Sequence, residues 1–164
     1  MDNTKFMRRA IDLSRSSVNR PGTRPYGAVI VKDGKIVGEG LNQSDLRFDP
    51  TSHGEIEAIR DACRRLETTD LSGCELFTSC EPCGLCVAAM YRAGIEKLYY
   101  AASLKQSAAV FESASASPRV AISAATDSEQ LAGQLIKPPE ERDMPAEQMM
   151  ADEAYSALRD WYNR

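Results

Sequence analysis

One histidine, one tryptophan and no long apolar run characterise this 164-residue chain by what it does without. The longest hydrophobic stretch lies near Tyr26–Val31. That is far short of the roughly 20 residues that cross a bilayer, so a helical membrane span is excluded. The Met1-Asp2-Asn3-Thr4 start has neither the basic nor the apolar region of a signal peptide, and a cytoplasmic protein is expected. A basic field is missing too: 20 Lys and Arg against 24 Asp and Glu give a net charge of −4, which does not favour a phosphate backbone. The charge is uneven, with +4 over residues 1–25 and −4 over residues 138–164. No internal repeat is visible. Hydrophobic residues at 43% and charged residues at 27% exclude global disorder, and the length fits one domain with its own core.

What is present is five cysteines: Cys63, Cys74, Cys80, Cys83 and Cys86. An odd number in a cytoplasmic chain points to thiols and metal ligation instead of a disulfide framework. The apolar positions Phe6, Ala10 and Leu13 predict an amphipathic helix over Lys5–Ser17, ended by Pro21-Gly22 and Pro25. Two β-prone runs, Tyr26–Lys32 and Lys35–Gly40, flank Asp33-Gly34, a hairpin signal. Ile56, Ile59, Cys63 and Leu66 recur at helical spacing after Asp49-Pro50-Thr51-Ser52. A strand at Cys74–Thr78, a helix at Cys83–Ala93 closed by Gly94, and a strand at Ile95–Ala102 follow. This order predicts crossovers, parallel neighbours and a three-layer α/β/α sandwich with a mixed sheet. Ser103–Ser128 is rich in Ser and Ala, with Arg119–Ser123 its best strand candidate. Lys137–Arg142 reads as a turn-rich connector and Ala146–Tyr162 as helix-prone, giving a core over 1–136 and a C-terminal segment over 137–164.

Two motifs carry chemistry. His53-Gly54-Glu55 opens one helix and Pro82-Cys83-Gly84-Leu85-Cys86 opens another. Cys83 and Cys86, three apart, share a helix face and can grip one ion, while a helix N-terminus favours thiolate. His53 and Glu55 lie about 200° apart around a helix, so they converge only over its end. One imidazole and two thiolates make three ligands with a position left open, the mark of catalytic zinc. Zinc in such a site brings the pKa of a water to about 7, and Glu55 can accept that proton and deliver it to a leaving group. A closed structural site is the bland alternative, because Cys80-Glu-Pro-Cys83 is a second C-x-x-C and Cys80 could complete a tetrahedron. Cys63 and Cys74 read as buried apolar residues. Arg8, Arg9, Arg15, Arg20 and Arg24 read as a solvated face more than an RNA contact.

The pairing of H-x-E with P-C-x-x-C resembles the signature of the zinc-dependent nucleobase deaminases. The chain resembles the cytidine and deoxycytidylate deaminase superfamily from about Phe6 to Ala102. Within it, Thr51–Arg60 and Thr78–Cys86 are most similar to the branch holding bacterial guanine deaminases and tRNA adenosine deaminases. Lys137–Pro145 followed by Trp161 looks like the C-terminal segment of small guanine deaminases, whereas tRNA adenosine deaminases end in a basic helix. The resemblance implies a Zn2+ enzyme of purine metabolism that releases ammonia from a free, guanine-like base. It implies ligands His53, Cys83 and Cys86 and a proton-transferring Glu55. Asn42 would hydrogen-bond the base, Tyr26 would stack on it, and the backbone at Gly54, Glu81 and Pro82 would orient it. The family's Asp-rich stretch after the fourth strand is Ser/Ala-rich here, which leaves Glu112 as the candidate for its acidic group. A homodimer is implied, with Tyr155, Trp161 and Tyr162 swapped onto the neighbour's pocket. A tRNA adenosine deaminase, a cytosine or cytidine deaminase and a noncatalytic zinc module remain as alternatives.

Overall fold

A computed structural model describes residues 3–114 and 128–162, with side chains over 3–110 and 132–161. The chain divides into two compact units, Met1–Ser123 and Ala124–Arg164.

The first unit is built on a four-stranded sheet. Its strands are β1 (Arg24–Lys32), β2 (Lys35–Asn42), β3 (Cys74–Cys80) and β4 (Lys97–Ala102), in the order β2-β1-β3-β4. The β1–β2 hairpin turns at Asp33 and Gly34, with φ of 50° and 72°, the pair of positive angles a type I′ turn demands. β3 runs antiparallel to β1 and parallel to β4. The predicted parallel neighbours are therefore β3 and β4, while β2 and β3 run the same way with β1 between them. At its start β1 carries an irregularity: Arg24 pairs with Asn42 and Gly27 with Leu41, so Pro25 and Tyr26 have no partner on β2. A proline fits there because it has no N–H to give the ladder.

Strand alternation sends two sets of side chains to opposite faces. Val29, Val31 and Phe77 meet Phe6 on helix α1 (Thr4–Ser16), with the Phe77 ring stacked on Tyr99 at 4.4 Å. Ala28, Ile30, Cys74 and Leu76 meet Ala58 and Ala62 of helix α3 (Gly54–Leu66), and Met90 and Ala93 of helix α4 (Gly84–Ala93). The three-layer mixed-sheet arrangement follows from these two clusters. The closest approach is α3 against β2, where a Cβ at Gly38 would lie 2.5 Å from Ala58 O and one at Gly40 would collide with Gly54 O and Ala58 N. Absence of a side chain there lets α3 sit low on the sheet, which fixes the height of its N-terminus.

A one-turn helix α2 (Ser44–Arg47) follows β2, and helix α5 (Leu104–Ala114) follows β4. The strand candidate Arg119–Ser123 lies outside the described residues. The second unit contains α6 (Ser128–Leu135), a short 3-10 turn at Pro139–Glu141 and α7 (Ala151–Tyr162). Its connector is tied by Asp143 N donating to Gln134 Oε1 (2.9 Å) and Arg142 Nε donating to Lys137 O (3.0 Å). Among the described residues no helix is long and apolar enough to cross a membrane.

Candidate active site

The two motifs occupy equivalent positions. His53 is the N-cap residue of α3 and Cys83 the N-cap residue of α4, both with extended backbone and neither using its side chain to cap. Each side chain is therefore free to reach over its helix end, and Cys86 joins from the first turn of α4. His53 Nδ1 lies 3.5 Å from Cys83 Sγ and 3.5 Å from Cys86 Sγ, and the two sulfurs are 3.8 Å apart. A tetrahedral zinc with Zn–S of about 2.3 Å and Zn–N of about 2.0 Å needs edges of about 3.8 Å between sulfurs and about 3.5 Å between sulfur and nitrogen. The three observed separations fit one face of that tetrahedron. Cys80 is not part of this group. Its thiol instead faces Ser103 O at 4.0 Å, so the closed site with Cys80 as fourth ligand is not assembled.

The donor chemistry also suits a cation. The Cys83 thiol is pulled down to about 4, first by its contact with the Cys86 thiol and then by His53 beside it. The same contact, with burial, pushes the Cys86 thiol far up. The neighbouring Cys83 sulfur raises the His53 imidazole above its ordinary value. A metal taking up this site displaces the proton that Cys86 holds.

Glu55 stands beside the triad and is only 4% exposed. Its Oε1 accepts from Thr78 Oγ1 at 3.0 Å, and its Oε2 accepts from Cys86 Sγ at 3.4 Å. Burial pushes its carboxyl above the usual range, and the bonds from Thr78 and Cys86 offset part of that rise. One oxygen is thus fixed by a strand hydroxyl and the other is turned toward the Cys86 thiol. A carboxyl raised in this way is better suited to hold and return a proton than one in water.

The remaining predicted residues are held in different ways. Asn42 is 3% exposed and its Oδ1 accepts from Ser44 N at 3.1 Å. Ser44 and Gln43 both bond to Ser52 O, which ties Asn42 to the residue before His53. Gly54 opens α3 directly beneath Tyr26 O. The Tyr26 hydroxyl meets Ser107 Oγ at 3.1 Å and its ring borders a cavity of about 520 Å3 shared with Ser79, Cys80, Ala102, Gln106 and Ser107. Glu81 donates its N–H to Ala102 O, and its Oε2 accepts Leu104 N at 2.9 Å, so this carboxylate caps α5. Pro82 is buried next to it. The Glu112 backbone is helical, and its side chain lies outside the described residues.

Two groups escaped the sequence reading. Thr78 stands in the sequence as the end of a strand and the first residue of the Thr78–Cys86 motif, with no role of its own. Its inward direction follows from the alternation that buries Leu76, which is the signal that could have revealed it. Glu57, also 4% exposed, looks from the sequence like a solvent-facing charge, and nothing in the helical spacing marks it otherwise.

Comparison with known proteins matches these observations. Residues 1–102 match the cytidine and deoxycytidylate deaminase zinc-binding region. Guanine deaminase of Bacillus subtilis is 37% identical over 163 residues, covering 99% of this chain and 96% of that protein. The crystal structure of a Bacillus subtilis guanine deaminase superposes with a TM-score of 0.84 at 36% identity, over 100% of this chain and 96% of that one. A tRNA-specific adenosine deaminase of Aquifex aeolicus is 46% identical over 81 residues, but covers 49% of this chain and 54% of that protein. Zinc is accordingly the metal for which the His53, Cys83 and Cys86 donors are spaced. Matched across its motif-bearing part and sharing fold and full length with a deaminase, the chain belongs to the cytidine and deoxycytidylate deaminase zinc-binding family.

Proposed function

We propose that this protein hydrolyses the exocyclic amine of a free, guanine-like base, with one Zn2+ held by His53, Cys83 and Cys86. The observation that carries the substrate class is the reach of the likeness. It runs through this chain's own acidic C-terminal segment along 96% of a guanine deaminase, whereas the tRNA deaminase match covers 49% of the chain. An excess of negative charge over residues 138–164 also repels a phosphate backbone.

When bound, zinc supplies a Lewis acid that makes water a nucleophile near neutral pH. Glu55 would accept a proton from the attacking water on Oε2 and return it to the departing nitrogen. One water is consumed, the C–N bond breaks, ammonia leaves and a carbonyl remains. Thr78 holds Oε1, so the proton stays on the side of the thiols. The Asn42 carboxamide hydrogen-bonds the base edge, the Tyr26 ring flanks it, and the backbone at Gly54, Glu81 and Pro82 sets its plane. Glu112 is the candidate for a second acidic group.

The active form in this reading is a homodimer in which residues 137–164 cover the partner's pocket. Support comes from α7, where Tyr155, Leu158 and Trp161 recur at helical spacing and are each more than half exposed. Sedimentation equilibrium should give twice the chain mass, and a monomer retaining full activity would remove the swap. The unpaired thiols of the metal site also suit a reducing compartment such as the cytoplasm.

Ammonia release is the direct test. The purified zinc form should deaminate guanine, and Glu55→Gln should keep one zinc per chain while losing nearly all turnover. A variant with substantial residual turnover overturns the role of Glu55. Inosine formation in tRNA without turnover of guanine overturns the substrate class.

A further inference from the structure

Glu57 is a buried carboxylate that the proposed chemistry does not use. It lies two residues beyond Glu55 on α3, about 200° around the helix axis, and so faces away from the metal donors. Its carboxylate is shared between the segment leading from Asn42 to His53 and Arg60, one turn farther along α3. Oε1 accepts from Ser52 Oγ at 2.9 Å and from Arg60 Nη1 at 2.6 Å, and Oε2 pairs with Arg47 Nη1 at 3.0 Å. Arg60 extends the grip to Thr51 Oγ1 at 3.4 Å and to Asp49 at 3.6 Å.

The gripped segment is also tied at Leu46, whose N–H donates to Gly22 O at 2.8 Å, and at Asp45, which accepts twice from Arg24 at 2.9 and 2.8 Å; Glu57 is the tie that joins Arg47 to Ser52. The segment contains one turn of helix, and Phe48 is left-handed at φ 52° and 94% exposed. That conformation is unfavourable for a bulky side chain and persists only where surroundings enforce it. Ser52 is the link to recognition: its carbonyl takes Gln43 N and Ser44 Oγ, and Ser44 N holds the Asn42 carboxamide oxygen. By contrast, the donors of the metal triad and Glu55 hang on the starts of α3 and α4, which are packed through the sheet cluster. A buried ion cluster is poor value for stability compared with apolar packing, and its best-attested benefit is a unique local conformation.

We propose that Glu57 is a positioning residue: through Ser52, Arg47 and Arg60 it holds the loop from Gln43 to Ser52 so that Asn42 is presented to the substrate. The inference rests on the deaminase reading for its kinetic readout. In Glu57→Gln the amide still accepts from Ser52 but loses both ionic partners. The Michaelis constant for guanine rises about tenfold while kcat stays within about twofold, as a lost charge-assisted contact outside the chemical step requires. Arg47→Gln, at a half-exposed position that does not threaten folding, gives the same split, and the double variant adds little to either single one. Arg47→Lys restores most of the affinity. Zinc content stays at one per chain throughout.

An unchanged Michaelis constant, additive single effects, or a fall of kcat together with zinc loss overturns the proposal. Hydrogen exchange separates its failure from that of the deaminase reading. If the parent protein does not act on guanine, the amides of Gln43, Arg47 and Ser52 should still exchange faster in Glu57→Gln while those of β1 and β3 do not. Unchanged loop exchange overturns the clamp whatever the substrate.

Discussion

Replacing Thr78 by valine removes one hydroxyl and keeps the shape of a fully buried side chain. The hydroxyl donates to Glu55 Oε1 at 3.0 Å, and its alternative acceptor, Gly27 O, is farther away at 3.5 Å. Breaking a buried hydrogen bond to a charged group costs about 1.5–3 kcal/mol. With tenfold in rate for about every 1.4 kcal/mol, loss of that contact lowers kcat roughly 10- to 100-fold if the carboxylate must be fixed to move its proton. Thr78 gives no donor atom to the metal group, so zinc should remain at one per chain. The assay is steady-state ammonia release from guanine per zinc-loaded, folded chain, with Thr78→Ser in parallel. Serine keeps the hydroxyl and should recover most of the rate. A valine variant with zinc intact and kcat within about twofold of the parent would refute the assignment of Oε1 as the anchored oxygen and Oε2 as the working one.

Further outcomes follow from other parts of the molecule. Cys83→Ser should lose zinc in equilibrium dialysis, whereas Cys80→Ser should keep it, since only Cys83 belongs to the metal group; zinc loss from the Cys80 variant would revive the closed structural site. Gly40→Ala places a methyl against Gly54 O and Ala58 N, overpacking that costs about 1–3 kcal/mol or more, to be read as a lower denaturation midpoint. Arg9 donates twice to Glu39, both at 2.7 Å, and holds that carboxyl below the usual range. Because the folded-state value is lowered, the stabilisation is complete above the ordinary glutamate value and is lost as pH falls through the lower folded one. Arg9 is 46% exposed, so screening keeps the effect below about 1 kcal/mol. Arg9→Gln should lower Tm by a few degrees at most at pH 7, and the difference from the parent should vanish in strong acid; a constant difference across that range would remove Glu39 as its source.

The legibility of this chain in its sequence varied with the kind of signal. Asp33-Gly34 announced a hairpin because the turn needs two positive φ angles and few residue pairs supply them. The metal donors were legible because their spacing carries meaning without the rest of the fold. The buried face of α3 was only half legible. Ile59, Cys63 and Leu66 do flank the core cluster, but Ala58 and Ala62 make the tightest contact, because Gly38 and Gly40 draw the helix down onto β2. No periodicity in α3 alone reports a glycine on another strand. Helix α5 had a readable start that went unused: Ser103-Leu-Lys-Gln106 is a capping box, with Gln106 N donating to Ser103 Oγ and Ser103 N to Gln106 Oε1. Such a box marks a helix N-terminus within a Ser/Ala-rich stretch. Glu57 was hidden for a deeper reason, since a charged residue on an amphipathic helix is ordinarily solvated, and its partners Arg47 and Ser52 meet it only after the loop has folded back.

The proposed chemistry and the proposed recognition rest on mechanically different supports. His53, Glu55, Cys83 and Cys86 project from helix N-termini seated on the sheet, and Thr78 from a central strand; moving any of them means moving an element packed through the core. Asn42 and Tyr26 stand on the ends of β2 and β1, but their side chains are held by single bonds to Ser44 and Ser107, and α5 starts with bonds between Ser103 and Gln106. Contacts of that kind open locally without global unfolding, so these side chains are the ones that can readjust to a ligand. In this reading a change of substrate ring is accessible by altering the loop from Gln43 to Ser52, with the metal group and Glu55 left in place. By the same reasoning, substitutions in the first set should lower kcat with little change in KM, and those in the second should raise KM. A residue that crossed between the two, such as a loop variant lowering kcat alone, would show that the loop also positions the proton-transfer group.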